Sequence, residues 1–178
     1  RSELPWAAAG APEAVLRVAA GREVVTVDVE VRKEDPVFAP ARVENPLDNE
    51  DPDINSDGVQ VHLELPGANA LATWILVPEA EPRVRITRRD AGGEVPPLDA
   101  TWRLTPTGYA VRWWWPRGPQ GLGIDRHFRL NVVINEISRD RERRRGQLVA
   151  TGARDEWVYL RGDREDRRHM LAFDIRDD

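Results

Sequence analysis

DINSDGVQVHLE, residues 53–64, admits two readings that lead to different folds. Asp-x-Asn-x-Asp-Gly followed by a Glu is the spacing of a calcium loop, with Asp53, Asn55, Asp57 and Glu64 as side-chain ligands. An EF-hand needs a helix on each side of that loop. Upstream stands VENPLDNEDP (43–52), where Pro46 and Pro52 would each remove a helix hydrogen bond and crowd the preceding turn. Downstream, VQVHLEL (59–65) alternates apolar and polar, the period of a half-buried strand. On a strand, at about 3.3 Å per residue, Glu64 stands about 20 Å from Asp57 and cannot close on a shared ion. The stretch is an acidic loop running into a strand. Two expectations for the loop stay open. Asp53, Asn55, Asp57 and backbone carbonyls hold calcium, which accepts any well-placed set of oxygens. Alternatively, Asp and Asn cap their own backbone in a solvated turn.

Outward from this stretch the strand signature repeats. EAVLRVAA (13–20) and EVVTVDVEVR (23–32) meet at Gly21-Arg22 and predict a hairpin. Val25, Val27, Val29 and Val31 share one face of the second segment, and Thr26, Asp28 and Glu30 the other. The 33–57 loop is long for a compact domain, which marks it as functional or as ordered by something bound. Further strands are predicted at 58–65, 71–78, 82–88, 101–106, 108–116, 127–137, 147–151, 156–160 and 169–175. No stretch holds a helical period over 11 residues. Ten or so short strands separated by turn residues predict an all-β fold, a sandwich or barrel.

The totals narrow the function. At 178 residues the chain is expected to be one domain, 1–178, with enough length to bury a core. It has no cysteine, so disulfides, thiolate metal sites and cysteine nucleophiles are excluded. A net charge of −5 argues against a nucleic-acid partner. Lys33 is the only lysine, which reads as codon bias of a GC-rich genome. No apolar run of about 18 residues is present to span a membrane as a helix. The sequence opens RSELPW without a methionine, as a processed or trimmed product would. Ser2, Ser56 and Ser138 are the only serines, and none sits in a nucleophile elbow. No Gly-rich phosphate loop follows a strand, and no carboxylate pair stands out. An enzyme is not expected.

Five pieces in order resemble carbohydrate-binding module family 9 and its wider group of sandwich domains. They are VVTVDVEVRKEDP before the long loop, SDGVQVHLEL after it, GYAVRWWWP, FRLNVVINEISRDRERRRGQLV and ARDEWVYL, within about 13–175. The resemblance implies a two-sheet antiparallel β-sandwich, jelly-roll-like, and no catalysis. It also implies sugar binding between two tryptophans, polar side chains holding hydroxyls, and calcium bracing the loops. Trp157 matches the C-terminal stacking tryptophan. The second is missing, since DINS (53–56) carries no aromatic. Gln60 stands nearest the place of the family's acidic residue, and Val133 replaces a polar position. Asn131 and Asn135 remain, and Glu136 replaces an Asp.

The candidate carbohydrate-binding residues are therefore Trp157, Trp114, Gln60, His62, Asn131 and Asn135, with Asp53, Asn55 and Asp57 for calcium. Alternation puts Tyr109, Val111, Trp113 and Trp115 in the core and leaves Trp114 beside Arg112 as a stacking platform, or as a Trp covered by a loop. Gln60, His62 and Glu64 share one face, either for a ligand or as the wet face of an antiparallel sheet. RDRERRR (139–145) is expected to be a solvated hairpin tip, or else a grip for phosphate or an acidic partner. The expected partner is a glycan. The alternative is a sandwich with a lost sugar site, docked by its loops as an accessory or scaffold subunit in a larger envelope or membrane-associated assembly. A periplasmic, extracytoplasmic or secreted location is expected, with any signal removed.

Overall fold

Alternation decides the architecture strand by strand. The computed structural model describes residues 7–8, 11–42, 44–46, 51–65, 71–89, 95–118, 127–151 and 167–176. Its strands are β1 (Glu13–Ala20), β2 (Val24–Arg32), β3 (Val59–Glu64), β4 (Ala72–Pro78), β5 (Val84–Arg88), β6 (Asp99–Thr105), β7 (Gly108–Pro116), β8 (His127–Glu136), β9 (Gly146–Val149) and β10 (Leu171–Asp174). Helical structure among the described residues is limited to 3-10 turns at Pro52–Ile54 and Arg167–His169. The strand expected at 156–160, with Trp157, and Trp6 lie outside the described residues.

Two antiparallel sheets result. One runs β1-β2-β7-β6 and the other β10-β8-β3-β4-β5, with β9 pairing β8 beside β10. The hairpins β1–β2 and β6–β7 meet through β2 and β7, and the meander β3–β4–β5 meets β8 through β3. The inner faces are the predicted ones: Val25, Val27, Val29 and Val31 on β2, Tyr109, Val111, Trp113 and Trp115 on β7, and Phe128, Leu130, Val132 and Ile134 on β8. Val59, Val61, Leu63 and Trp74 lie beside the β8 residues on the six-stranded sheet, and together they face β2 and β7. Burying each such aliphatic side chain contributes about 1.5–3 kcal/mol, which offsets the entropy of ordering the strands.

The long loop closes one end of the sandwich. Phe38 inserts edge-on against Trp102 and Tyr109, with ring centroids 4.9 and 5.2 Å apart. The loop turns back where Asp57 N–H donates to the Val37 carbonyl at 2.8 Å. Lys33 N–H donates to the Thr107 carbonyl at 2.9 Å, which fixes the first loop residue to the β6–β7 turn. Gly108 of that turn has φ +159°, and a Cβ there would lie 2.1 Å from the Val31 carbonyl oxygen and 2.7 Å from Lys33 N. Only glycine permits this approach.

Candidate functional site

Because Val59, Val61 and Leu63 point inward, Gln60, His62 and Glu64 point to the outer face of the six-stranded sheet. On β8 the same logic sends Asn131, Val133 and Asn135 outward. Register then sets His62 opposite Asn131, Gln60 opposite Val133 and Glu64 opposite Arg129. Four predicted sugar residues thus converge on one face, although no local spacing in the sequence brings β3 and β8 together.

Their environment differs from the expected wet face. Gln60, His62, Asn131 and Asn135 are only 4, 3, 2 and 1% exposed. The side-chain amides cross-link: Gln60 Nε2 and Gln147 Nε2 both donate to Asn135 Oδ1, at 2.7 and 2.8 Å. Thr73 Oγ1 lies 3.3 Å from His62 Nδ1. Gln60, His62, Asn131 and Gln147 take part in further interactions within the chain. Asn135 Nδ2 is buried without an acceptor among the described residues. A buried donor in that state costs about 1–3 kcal/mol.

Trp114 does not join this group. Trp113 and Trp115 are fully buried in the core, so Trp114 faces outward from the four-stranded sheet, on the opposite side of the sandwich. It stands half-buried between Thr26 and Asp99, next to an Arg112–Asp28 ion pair of 2.7 Å. A single platform joining Trp114 to Gln60 and the asparagines is excluded by the sheet topology. Trp157, the remaining sugar candidate, is among the residues not described.

The residues expected to ligate calcium do not fit one ion. Asp53 Oδ1 accepts from Arg85 Nε and Nη2, at 3.1 and 2.8 Å, and its Oδ2 accepts from Thr87 Oγ1 at 2.7 Å. Asn55 Oδ1 accepts from Arg144 N–H at 3.0 Å, and its Nδ2 donates to Asn45 Oδ1 at 3.3 Å. Asp57 Oδ1 accepts from Lys33 Nζ at 2.7 Å and Ile137 N–H at 3.1 Å, and its Oδ2 accepts from Val37 N–H at 2.5 Å. Each side chain serves a different element, and no group of three His, Cys, Asp or Glu side chains placed to hold a metal occurs among the described residues. Both carboxylates already carry a protein cation. Of the capped-turn alternative, the cap is present at Asp51, whose Oδ1 accepts from Asp53 N–H at 2.9 Å, but the turn is not solvated, since Asp53, Asn55, Ser56 and Asp57 are all buried.

Lys33 and Glu136 complete the buried ionic group. Lys33 Nζ donates to Asp57 Oδ1, to Glu136 Oε1 at 3.1 Å and to the Ile137 carbonyl. Arg145 grips Glu136 with Nε at 2.8 Å and Nη2 at 2.7 Å. Burial pushes the Asp57 carboxyl up to about 6 despite Lys33 and the two backbone N–H groups. Burial also raises Glu136, but Arg145 and Lys33 outweigh it and hold that carboxyl below its usual value. Burial, then the charges of Asp57 and Glu136, raise the Tyr109 hydroxyl well above the ordinary tyrosine range. The charged 138–146 loop is correspondingly more than a solvated tip, with Arg144 buried and Arg145 bound to Glu136. Its end stays solvated at Arg139, which pairs with Asp35 at 3.0 Å.

Sequence pattern gave no sign of Gln147, Arg85 or the Lys33–Glu136 contact. Lys33 had one visible peculiarity, its being the sole lysine. Ser56 Oγ accepts from Ala39 N–H at 2.9 Å and is fully buried, the position of a loop staple and not of a nucleophile. Among the described residues, an apolar cavity of about 590 Å³ opens between the sheets along Leu16, Val29, Val132, Ile134, Leu148 and Leu171.

No family model and no curated protein matches the chain. Solved structures do. A carbohydrate binding module family 9 from Caldicellulosiruptor kristjanssonii in complex with glucose superposes with TM-score 0.61 at 16% identity, covering 94% of this chain and 78% of that one. A carbohydrate binding module family 9 from the same organism in complex with cellotriose gives TM-score 0.53 at 19% identity, covering 78% and 65%. The chain has the β-sandwich fold of carbohydrate-binding module family 9, as the five sequence pieces implied.

Proposed function

We propose that this protein is a non-catalytic binding module that takes a glycan on the outer face of its six-stranded sheet. The observation that carries the reading is the polar group Gln60, His62, Asn131 and Asn135, gathered on one face with the Asn135 Nδ2 donor unsatisfied among the described residues. A sugar hydroxyl both donates and accepts, so it can complete such a set, and the C–H faces of a pyranose pack on an aromatic ring. Trp157 supplies that ring in this reading. The fold shared with glucose-bound and cellotriose-bound modules supports it. The module acts outside the cytoplasm, where glycans are exposed.

The test is tryptophan fluorescence during titration with glucose, cellotriose and a wider panel of mono- and oligosaccharides. A saturable change is expected, abolished by Trp157→Ala and Asn135→Ala and kept by Trp114→Ala. Silence across the panel from a folded protein refutes the reading for those sugars. One observation favours a second reading: the polar face is covered by the chain itself, which suits an accessory subunit that has lost its sugar site and docks in a larger envelope assembly. Co-purification of a stoichiometric protein partner, together with that silence, would favour it.

A further inference from the structure

We infer that the Lys33 ammonium is the resident cation of a carboxylate–carbonyl site, and that it braces the 33–57 loop with no divalent metal. The inference stands whether or not a glycan binds.

The acceptors around Nζ are of the type that a hard cation takes: carboxylate oxygens from Asp57 and Glu136 and the backbone carbonyl of Ile137. An ammonium has three N–H donors, and each finds one of these acceptors. The side chains are shielded from water, with Lys33 12%, Asp57 1% and Glu136 7% exposed. Charge closes within the group, because Lys33 and Arg145 balance Asp57 and Glu136. The remaining Asp57 oxygen accepts from Val37 N–H and the remaining Glu136 oxygen from Arg145, so every oxygen of the two carboxylates already has a protein donor. Asp53 repeats the arrangement with Arg85.

Position gives the group its task. Lys33 directly follows β2 of the four-stranded sheet, while Asp57 leads into β3 and Glu136 ends β8 of the six-stranded sheet. One side chain therefore ties the two sheets together at the end where the long loop closes. The cation is covalently attached, so it cannot be chelated away. Removing it leaves the buried Asp57 carboxylate and the Ile137 carbonyl without their cation, while Glu136 keeps Arg145, a setting in which calcium becomes a usable substitute.

Since Lys33 is the only lysine, the test can read it as a single signal. Native protein is treated with ¹³C-formaldehyde and a mild reductant, and the methylated amines are followed by NMR. The α-amino group is expected to react fully while Lys33 stays unmodified, and both are expected to react in denaturant. Native Lys33 methylated as fast as the α-amino group overturns the inference. In parallel, thermal unfolding is compared in EDTA and in millimolar calcium chloride. The wild-type midpoint is expected to be the same in both. Lys33→Ala is expected to melt lower in EDTA and to recover partly in calcium. A wild-type midpoint that falls in EDTA, or a Lys33→Ala response to calcium no larger than the wild type's, also overturns it. Should Lys33→Ala fail to fold in either buffer, the methylation result alone decides.

Discussion

Lowering the pH from 7 to 5 should stabilise this protein through Asp57. A carboxyl whose folded-state pKa lies above its unfolded value takes up its proton sooner when folded. Its contribution is fully present below the unfolded value and is lost as pH rises through the folded one. For Asp57 these values are 3.8 and about 6. With them, the linkage relation gives about 1.4 kcal/mol at pH 5 and about 0.1 kcal/mol at pH 7, a gain of about 1.3 kcal/mol on acidification. Glu136 acts in the opposite direction, since its folded value is lowered from 4.5. Its loss by pH 5 is small, because most unfolded carboxyls of that value are still ionised there. For a chain of this length the net gain corresponds to a rise of about 2–4 °C in midpoint. The physical cause is that burial penalises the carboxylate by more than Lys33, Val37 and Ile137 return. Chemical denaturation of wild type and Asp57→Asn at half-unit steps from pH 7 to 5 isolates the effect. Asp57→Asn carries its own stability offset, but the slopes are what count, and histidines contribute equally to both proteins. Parallel slopes would refute the reasoning.

Two further outcomes follow from packing. Trp113 is fully buried edge-on to Trp115, so Trp113→Ala should cost about 3–5 kcal/mol, while its neighbour Trp114→Ala should stay within about 1 kcal/mol. Equal losses in urea titrations of the two variants would contradict the facing assigned to β7. Gly108→Ala drives a methyl into the Val31 carbonyl and the Lys33 backbone, and should cost about 2–3 kcal/mol by the same titration. Because the clash displaces Lys33, that variant should also expose its ammonium to methylation, and an unchanged rate would count against the coupling.

Strand positions and facing were legible because period-2 alternation is a local property. The valines of β2, the Tyr109–Trp115 face of β7 and the Phe128–Ile134 face of β8 follow from it directly. What pairs with what is not local. Gln60 and Asn135 are 75 residues apart in sequence, and only the β3–β8 register joins them. Trp114 shows the limit from the other side. Its outward facing was readable, but which sheet owned that outward face was not, and the sheet order sends it away from the other candidates.

The acidic loop shows why residue types alone do not assign a site. Asp53, Asn55 and Asp57 have calcium-loop spacing, and carboxylates at that spacing do need a cation once buried. Sequence does not say who supplies it. Arg85 comes from β5 and Lys33 from the end of β2, 32 and 24 residues from their partners. A buried carboxylate missing its cation costs several kcal/mol, so the choice between a metal and a protein cation is not optional for the fold. Supplying it from the chain makes the brace independent of dissolved metal and binds the loop, both sheets and the charged hairpin into one electrostatic unit. The same acids that suggested a metal protein thereby argue for one that keeps its loop end closed in a chelator.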